Sequence, residues 1–190
     1  SNGILADLVF GAIYTNEDIM DEESIANYVV IEFDENKAWY DFEFLIGTPD
    51  NDVIIAADHT AMEYIGGEGD DEIYGGEKGE IIDGGAGHDI LTGGDGADTF
   101  RISDNDGLPD IISDFSADDI VDLTRLGIGS KDDLLLEEGT LVINDFEYSG
   151  TILSRTDLDG SEETALLLFS NENHTPFFKD NNPLENINIL

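Results

Sequence analysis

The chain contains no cysteine, so neither disulfide bonds nor thiolate metal sites are available to it. Basic residues are scarce as well, with 7 Lys and Arg against 45 Asp and Glu and a formal net charge of -38. The bases are scattered from Lys37 to Lys179, which excludes a nucleic-acid partner and disfavours an anionic membrane surface. No apolar run is long enough for membrane insertion. Packing so many carboxylates together requires a compensating cation.

An excess of carboxylates is typical of two classes of protein. One class binds hard cations through Asp and Glu oxygens, and the other spreads carboxylates over its surface as an adaptation to salt. The placement of the acidic residues decides between them. At 190 residues the chain is long enough for one domain, and without disulfide bonds its candidate source of extra stability is calcium.

A nine-residue repeat runs from Gly66 to Arg101. Its four consecutive blocks read GGEGDDEIY, GGEKGEIID, GGAGHDILT and GGDGADTFR. Each block opens with Gly-Gly and has an apolar eighth residue, and the first, third and fourth match G-G-x-G-x-D-x-U-x in full. The second block has Lys78 in place of Gly and Glu80 in place of Asp. Four copies in phase argue against a flexible acidic linker.

Two upstream segments share the phase of the repeat. GTPDNDVII, which begins at Gly47, has Asp52 at the acidic position and Ile54 at the apolar position. Residues 56–65 read as a degenerate turn, because glycine is missing and Met62 lies near the acidic position.

The repeat predicts a parallel β-roll. Gly and Asp close a six-residue turn, and three residues then form a short strand whose apolar member points inward. Since two blocks complete one coil, alternate blocks stack on the same edge. Asp71 and Asp89 then lie on one edge beside Asp52, and Glu80 and Asp98 lie on the other. Stacked carbonyls and carboxylates form the all-oxygen cage that Ca²⁺ prefers and that fits Mg²⁺ less well.

The sequence predicts several Ca²⁺ ions and no organic cofactor. The candidate metal residues in the repeats occupy the first, third and acidic positions of the blocks: Asp52, Gly66, Glu68, Asp71, Gly75, Glu77, Glu80, Gly84, Ala86, Asp89, Gly93, Asp95 and Asp98. Among them we expect Asp71 and Asp89 to contribute most. We expect the edge with Lys78 and Glu80 to bind calcium more weakly.

These blocks resemble the RTX, or haemolysin-type, calcium-binding repeats. The segment after Arg101 resembles the one that closes the β-roll in the C-terminal domain of serralysin-type metalloproteases and in the R-modules of alginate epimerases. The matching residues are Gly96, Ala97, Asp98 and Phe100, then Asp110, Ile112, Asp114 and Phe115, then Asp119, Val121, Asp122 and Leu123. The resemblance extends from Gly47 towards the C-terminus and weakens after Gly127. It implies that Asp110 and Asp114 add calcium ligands, with plain surface acids as the alternative.

No catalytic motif accompanies the repeats. The sequence contains neither HExxH, nor G-x-S-x-G, nor a phosphate-binding loop. Its histidines are isolated, and His88 occupies a variable position of its block, where we expect an exposed side chain. In the RTX-bearing enzyme families the active sites lie on other domains. We therefore expect these residues not to form an enzyme.

The flanking regions predict further β-structure, so the predicted fold class is all-β. Residues 47–101 form the roll, residues 1–46 an N-terminal cap with a hairpin around Asp34–Lys37, and residues 102–190 an antiparallel portion that closes the roll. Trp39 is more typical of core packing than of a sugar-stacking platform. Asp157–Gly160 is more typical of a hairpin turn than of an EF-hand loop.

The expected function is calcium-dependent folding and stabilisation of a secreted, extracellular module. Stacked carboxylates repel one another and the Gly-rich turns lose much entropy on folding, so we expect disorder until calcium binds. The RTX resemblance implies type I secretion with an uncleaved C-terminal signal, for which residues 186–190 are candidates. Two alternatives stay open: a calcium-dependent adhesion module that binds an acidic or neutral polysaccharide, and an accessory domain of a larger secreted enzyme.

Overall fold

The computed structural model describes residues 4–7, 12–15, 27–30, 44–55, 63–102, 108–156, 163–170 and 183–189. Over these residues the protein is all-β, as predicted, and parallel coils form a β-solenoid. Short 3-10 helices are described at Thr124–Leu126, Lys131–Asp133 and Pro183–Asn186. In this part of the chain no helix is long and apolar enough to cross a membrane.

The described strands form one hairpin and two large sheets. They are β1 (Ile4–Asp7), β2 (Ala12–Thr15), β3 (Asn27–Val30), β4 (Phe44–Ile46), β5 (Asp52–Ile55), β6 (Glu63–Glu68), β7 (Glu72–Tyr74), β8 (Ile81–Ala86), β9 (Ile90–Thr92), β10 (Thr99–Arg101), β11 (Asp110–Ile112), β12 (Ile120–Asp122), β13 (Leu134–Ile143), β14 (Phe146–Thr156), β15 (Glu163–Ser170) and β16 (Ile187–Asn188). The hairpin joins β1 and β2. The six-stranded sheet has the order β16-β12-β10-β8-β6-β4, and the eight-stranded sheet has the order β13-β14-β15-β11-β9-β7-β5-β3.

Alternate blocks stack in register, which confirms the predicted coil of two blocks. Strands β5, β7, β9 and β11 lie parallel in one sheet, while β6, β8, β10 and β12 lie parallel in the other. The apolar residues that this register aligns are buried in the core: Ile54, Ile73, Leu91 and Ile112 on one side, and Tyr64, Ile82, Phe100 and Val121 on the other. The two columns form the core of the solenoid, so the turns stay at its edges.

Parallel pairing extends beyond the recognisable repeats at both ends. β3 pairs with β5, and β4 pairs with β6. After Arg101, β11 and β12 continue the coils, although their acidic residues lie 21 positions from those of the preceding coil instead of 18. The predicted hairpin around Asp34–Lys37, Trp39, and residues 56–62 of the degenerate turn lie outside the described residues.

The C-terminal part adds antiparallel strands to the same body. β13, β14 and β15 form a meander, and β15 then pairs in parallel with β11, so the meander and the coils share one sheet. β16 pairs with β12 and places Ile187, fully buried, next to Val121. Residues 187–188 of the candidate export signal thus form a strand in the folded protein. Asp157–Gly160 lies outside the described residues.

Removing one inward side chain should destabilise the coils without altering the turns. Leu91 is fully buried between Ile73 and Ile112, so Leu91→Ala should lower the free energy of unfolding by about 2–5 kcal/mol. Ile120→Ala is the control, because Ile120 is 36% exposed on β12, and it should cost under about 1 kcal/mol. Denaturant unfolding in saturating calcium measures both. Equal losses would contradict the inward position of Leu91.

Candidate metal centre

Four carboxylates form a first row along one edge of the coils. Each belongs to the acidic residue of a turn, and the backbone N–H of one acidic residue donates to the carboxylate of the next. The bonds join Asp52 N to Asp71 Oδ1 at 2.7 Å, Asp71 N to Asp89 Oδ1 at 2.8 Å, and Asp89 N to Asp110 Oδ1 at 3.1 Å. All four side chains are buried. The three predicted neighbours on this edge are therefore together, and Asp110 extends the row.

A second row follows the opposite edge. Glu80 N donates to Asp98 Oδ1 at 2.9 Å, and Asp98 N donates to Asp119 Oδ1 at 2.9 Å. All three side chains are buried. Our candidate ligands included Glu80 and Asp98 but not Asp119. The signal for Asp119 was available, because it precedes the inward Val121 by two residues, as Asp98 precedes Phe100.

The glycine that opens each block leaves room for oxygen atoms. A Cβ placed on Gly66 would overlap Oδ2 of Asp71 and the carbonyl oxygen of Gly84, the equivalent glycine one coil later. A Cβ on Gly93 would overlap Oδ2 of Asp98. Main-chain and side-chain oxygens of successive turns thus converge in cradles that any other residue would fill. Gly66, Gly75, Gly84 and Gly93 all line these gaps between turns.

Two oxygen atoms in these cradles are buried and accept no hydrogen bond from the described residues. They are Oδ2 of Asp71 and Oδ2 of Asp98, one in each row. A buried carboxylate oxygen without a donor carries a large desolvation cost. A cation bound among the surrounding oxygens would offset that cost, and an all-oxygen ligand set suits a hard cation. The donor set therefore fits calcium.

Burial also changes the protonation of the rows. Desolvation raises the pKa of Asp71 to about 8; the N–H bond from Asp52 opposes this shift, and the charges of Asp89 and Asp52 add to it. Desolvation likewise raises the pKa of Asp98 to about 7. The pKa values of Glu80 and Asp119 are raised mainly by the same burial. Without a cation, the charged form of the rows is thus disfavoured.

The candidate ligands at the third position of the blocks lie outside the two rows of buried carboxylates. Glu68, Glu77 and Asp95 are exposed, and Ala86 is half-buried. The carbonyl oxygen of Ala86 accepts a hydrogen bond from Gly69 N at 2.9 Å. The carboxylates of the three exposed acids therefore stay at the surface, while the row carboxylates are enclosed.

Asp114 lies beside the second row rather than in it. Its Oδ1 accepts from Gly93 N at 2.8 Å and its Oδ2 accepts from Gly94 N at 2.7 Å, which ties it to the start of the fourth block. Its charge raises the pKa of both Asp98 and Asp119. Asp110 and Asp114, which the resemblance pairs as ligands, thus serve opposite edges of the solenoid.

The turn of the second block differs in backbone conformation from the other three. In the third block, Gly85 and Gly87 have φ of 106° and 132°, a region that favours glycine. The equivalent residues of the second block, Gly76 and Lys78, do not have positive φ. The charge of Lys78 also opposes the rise in the pKa of Glu80. The departure in sequence therefore coincides with a departure in geometry and charge.

His88 is buried, so the prediction that its side chain is exposed was wrong. It is 6% exposed, and its Nδ1 donates to the carbonyl oxygen of Pro109 at 2.5 Å. Its ring packs edge-on against Tyr148, with 5.9 Å between ring centres. Tyr148 belongs to β14, far away in the chain. A block pattern gives no information about such a contact.

No protein-family model, curated protein or solved structure matches this chain. The fold and the site therefore define its class. It is a β-solenoid with an antiparallel extension and a row of buried carboxylates along each edge.

The raised pKa values predict how pH affects the metal-free protein. Between the ordinary aspartate pKa of about 4 and the folded pKa of about 8, folded Asp71 binds a proton that the unfolded chain releases. Stability in chelator should therefore rise as pH falls from 8 to 5. Circular dichroism across this range measures the folded fraction.

Asp71→Asn should flatten this pH dependence, since the amide oxygen can still accept from Asp52 N but does not titrate. Asp118→Asn is the matched control, because Asp118 is an exposed acid next to the second row. A dependence that both substitutions reduce equally would show a general charge effect instead of titration of the row.

Proposed function

We propose that the protein is a non-catalytic calcium-binding module whose coils fold when Ca²⁺ enters the gaps between stacked turns. The observation that supports this most directly is the pair of buried rows, each with a carboxylate oxygen that no described donor satisfies. The residues proposed to hold the ions are Asp52, Asp71, Asp89 and Asp110 in the first row, Glu80, Asp98 and Asp119 in the second, and the carbonyl groups of Gly66, Gly75, Gly84 and Gly93.

The chemistry of the gaps favours Ca²⁺ over other metals. Carboxylates and main-chain carbonyls are hard oxygen donors, and Ca²⁺ accepts about six to eight of them in irregular geometry. Mg²⁺ requires a tight octahedron and releases its water reluctantly, which suits a buried row poorly. Softer metals prefer thiolate or imidazole, and the chain has no cysteine. The buried His88 already uses Nδ1 for Pro109.

Binding energy becomes folding energy in such a site. With a net charge of -38 and two stacked rows of acids, the metal-free coils are opposed by repulsion and by the entropy of the glycine-rich turns. At a free calcium concentration of a hundred times Kd, one site adds about 2.7 kcal/mol to the free energy of unfolding. A few bound ions therefore contribute as much as the whole stability of an ordinary domain, about 5–15 kcal/mol. Chelation should therefore unfold the coils.

This linkage suits a secreted protein. A chain of this composition stays unfolded where calcium is scarce and folds where calcium is plentiful, as outside the cell. The resemblance to RTX repeats supports export through a type I channel, with folding after passage. The proposed role is then to stabilise the extracellular form of the protein to which these coils belong.

Calcium titration of chelator-stripped protein tests the proposal. We expect β-structure in the far-ultraviolet circular dichroism to appear cooperatively with calcium, because each gap needs both of its turns in place. Magnesium and sodium chloride at matched ionic strength are the controls and should restore much less. A protein that is fully folded in chelator, or that folds equally in plain salt, would overturn the proposal in favour of salt adaptation.

The first row predicts which substitution removes most binding. Asp89 lies between two gaps, one shared with Asp71 and one shared with Asp110, so Asp89→Asn should remove binding at both. Asp118→Asn removes the same charge from an exposed site and should leave the number of bound ions unchanged. Native mass spectrometry or calorimetry counts the ions. An unchanged count in Asp89→Asn would refute this register of the row.

A further inference from the structure

The eight-stranded sheet ends on one long edge strand, β13. The other described edges of the two large sheets are short, with four residues in β3, three in β4 and two in β16. β13 has ten residues, and within the described part of the chain it pairs with β14 alone. That pairing is regular from Leu134↔Arg155 to Ile143↔Phe146. On the side away from β14, β13 therefore presents an unbroken row of main-chain donors and acceptors to which no described strand is paired.

β13 carries little of the protection that edge strands normally have. Proteins guard such edges with charged side chains, proline, bulges or very short strands, and of these Leu134–Ile143 has only the acids Glu137 and Glu138. Two large apolar side chains on it are exposed, Leu135 at 42% and Val142 at 71%. The edge therefore combines main-chain groups that no other described strand pairs with and apolar contact points near both ends.

The negative charge of two acidic residues at the centre of β13 favours a cationic partner over a second copy of the chain. Glu137 and Glu138 are both exposed, and the midpoint of the strand falls between Glu138 and Gly139. Symmetric antiparallel pairing with a second copy would bring the acids of both copies together. The charge of -38 on each copy adds to that repulsion. The same charges attract a cationic segment.

The hairpin that bears this edge is well ordered for binding. Its two-residue turn has Asn144 and Asp145 at φ of 51° and 69°, the left-handed conformation of a tight hairpin. Thr151 Oγ1 donates to Glu138 Oε1 at 2.6 Å, which fixes one of the two central acids. The base of the hairpin is held by β15. The hairpin itself would thus lose little conformational entropy when a strand is added to β13.

We propose that β13 binds an extended cationic peptide segment as an added β-strand. Main-chain hydrogen bonds between the peptide and β13 would provide affinity, and contacts of the peptide side chains would provide specificity. Basic residues on one face of the added strand would lie beside Glu137, and apolar residues on its other face would cover Val142. This surface is separate from the carboxylate rows, and the proposal does not depend on metal binding.

A pair of synthetic peptides tests strand addition against plain charge attraction. The probe is a fluorescein-labelled decapeptide of alternating lysine and valine, and its control is the same peptide N-methylated at every residue, so that neither edge of it can donate. Both have the same charge, but the control lacks the donors that an added strand requires. Fluorescence anisotropy with the calcium-saturated 190-residue chain should show about tenfold weaker binding for the methylated peptide.

Two variants locate the site. Leu135→Lys places a repelling charge on the edge and should weaken binding of the unmethylated peptide by about tenfold. Ile120→Lys makes the same change at a side chain 36% exposed on β12, which has a strand on either side, and should change binding less than about threefold. Circular dichroism confirms that both variants remain folded.

Equal affinity for the two peptides, or an equal loss in the two variants, would overturn the proposal in favour of diffuse charge attraction. Sedimentation that shows a dimer which Leu135→Lys dissociates would also overturn it, because the edge would then bind a second copy. Protection of β13 amides from hydrogen exchange on adding the unmethylated peptide would support it.

Discussion

The acidic residues of alternate turns stack directly on one another along each edge of the solenoid. The rest of the structure depends on this constraint. The N–H of each row residue donates to the next carboxylate, so the rows are built by the same register that aligns the parallel strands. Inward apolar columns keep the coils in that register. The chain therefore obtains its core and its buried charge from a single geometric repeat, and neither can form without the other.

The two edges of the solenoid are not equivalent. On the first edge, Asn51 Oδ1 accepts from Asp70 N at 3.0 Å, and Asp70 Oδ1 accepts from His88 N at 3.0 Å, which adds a second ladder beside the carboxylates. The equivalent residues of the second edge are Gly79, which has no side chain, and Ala97, whose methyl group cannot accept a hydrogen bond. The additional side-chain bonds of the second edge come instead from Asp114, which accepts from Gly93 N and Gly94 N.

Basic residues neutralise a different surface. Arg125 Nη1 lies 2.8 Å from Asp83 Oδ2, and Arg101 forms an ion pair with Glu63 and approaches Asp83 and Asp122 across the six-stranded sheet. Asp83 is 1% exposed, so this group of ion pairs is partly shielded from solvent and salt. Two of the chain's few cations therefore stabilise the outer face of a sheet. In the function we propose, a bound cation neutralises the charge of the row carboxylates.

The sequence by itself determined the all-β class, the two-block coil, the inward residues and the two edges of acids, because a period of nine fixes all of these locally. Only the tertiary structure decided the rest. His88 became buried because β14 packs on its turn. Asp114 lies beside the second row, where it accepts hydrogen bonds from the N–H groups of Gly93 and Gly94. Each of these depends on contacts between segments far apart in the chain, which a local repeat does not encode.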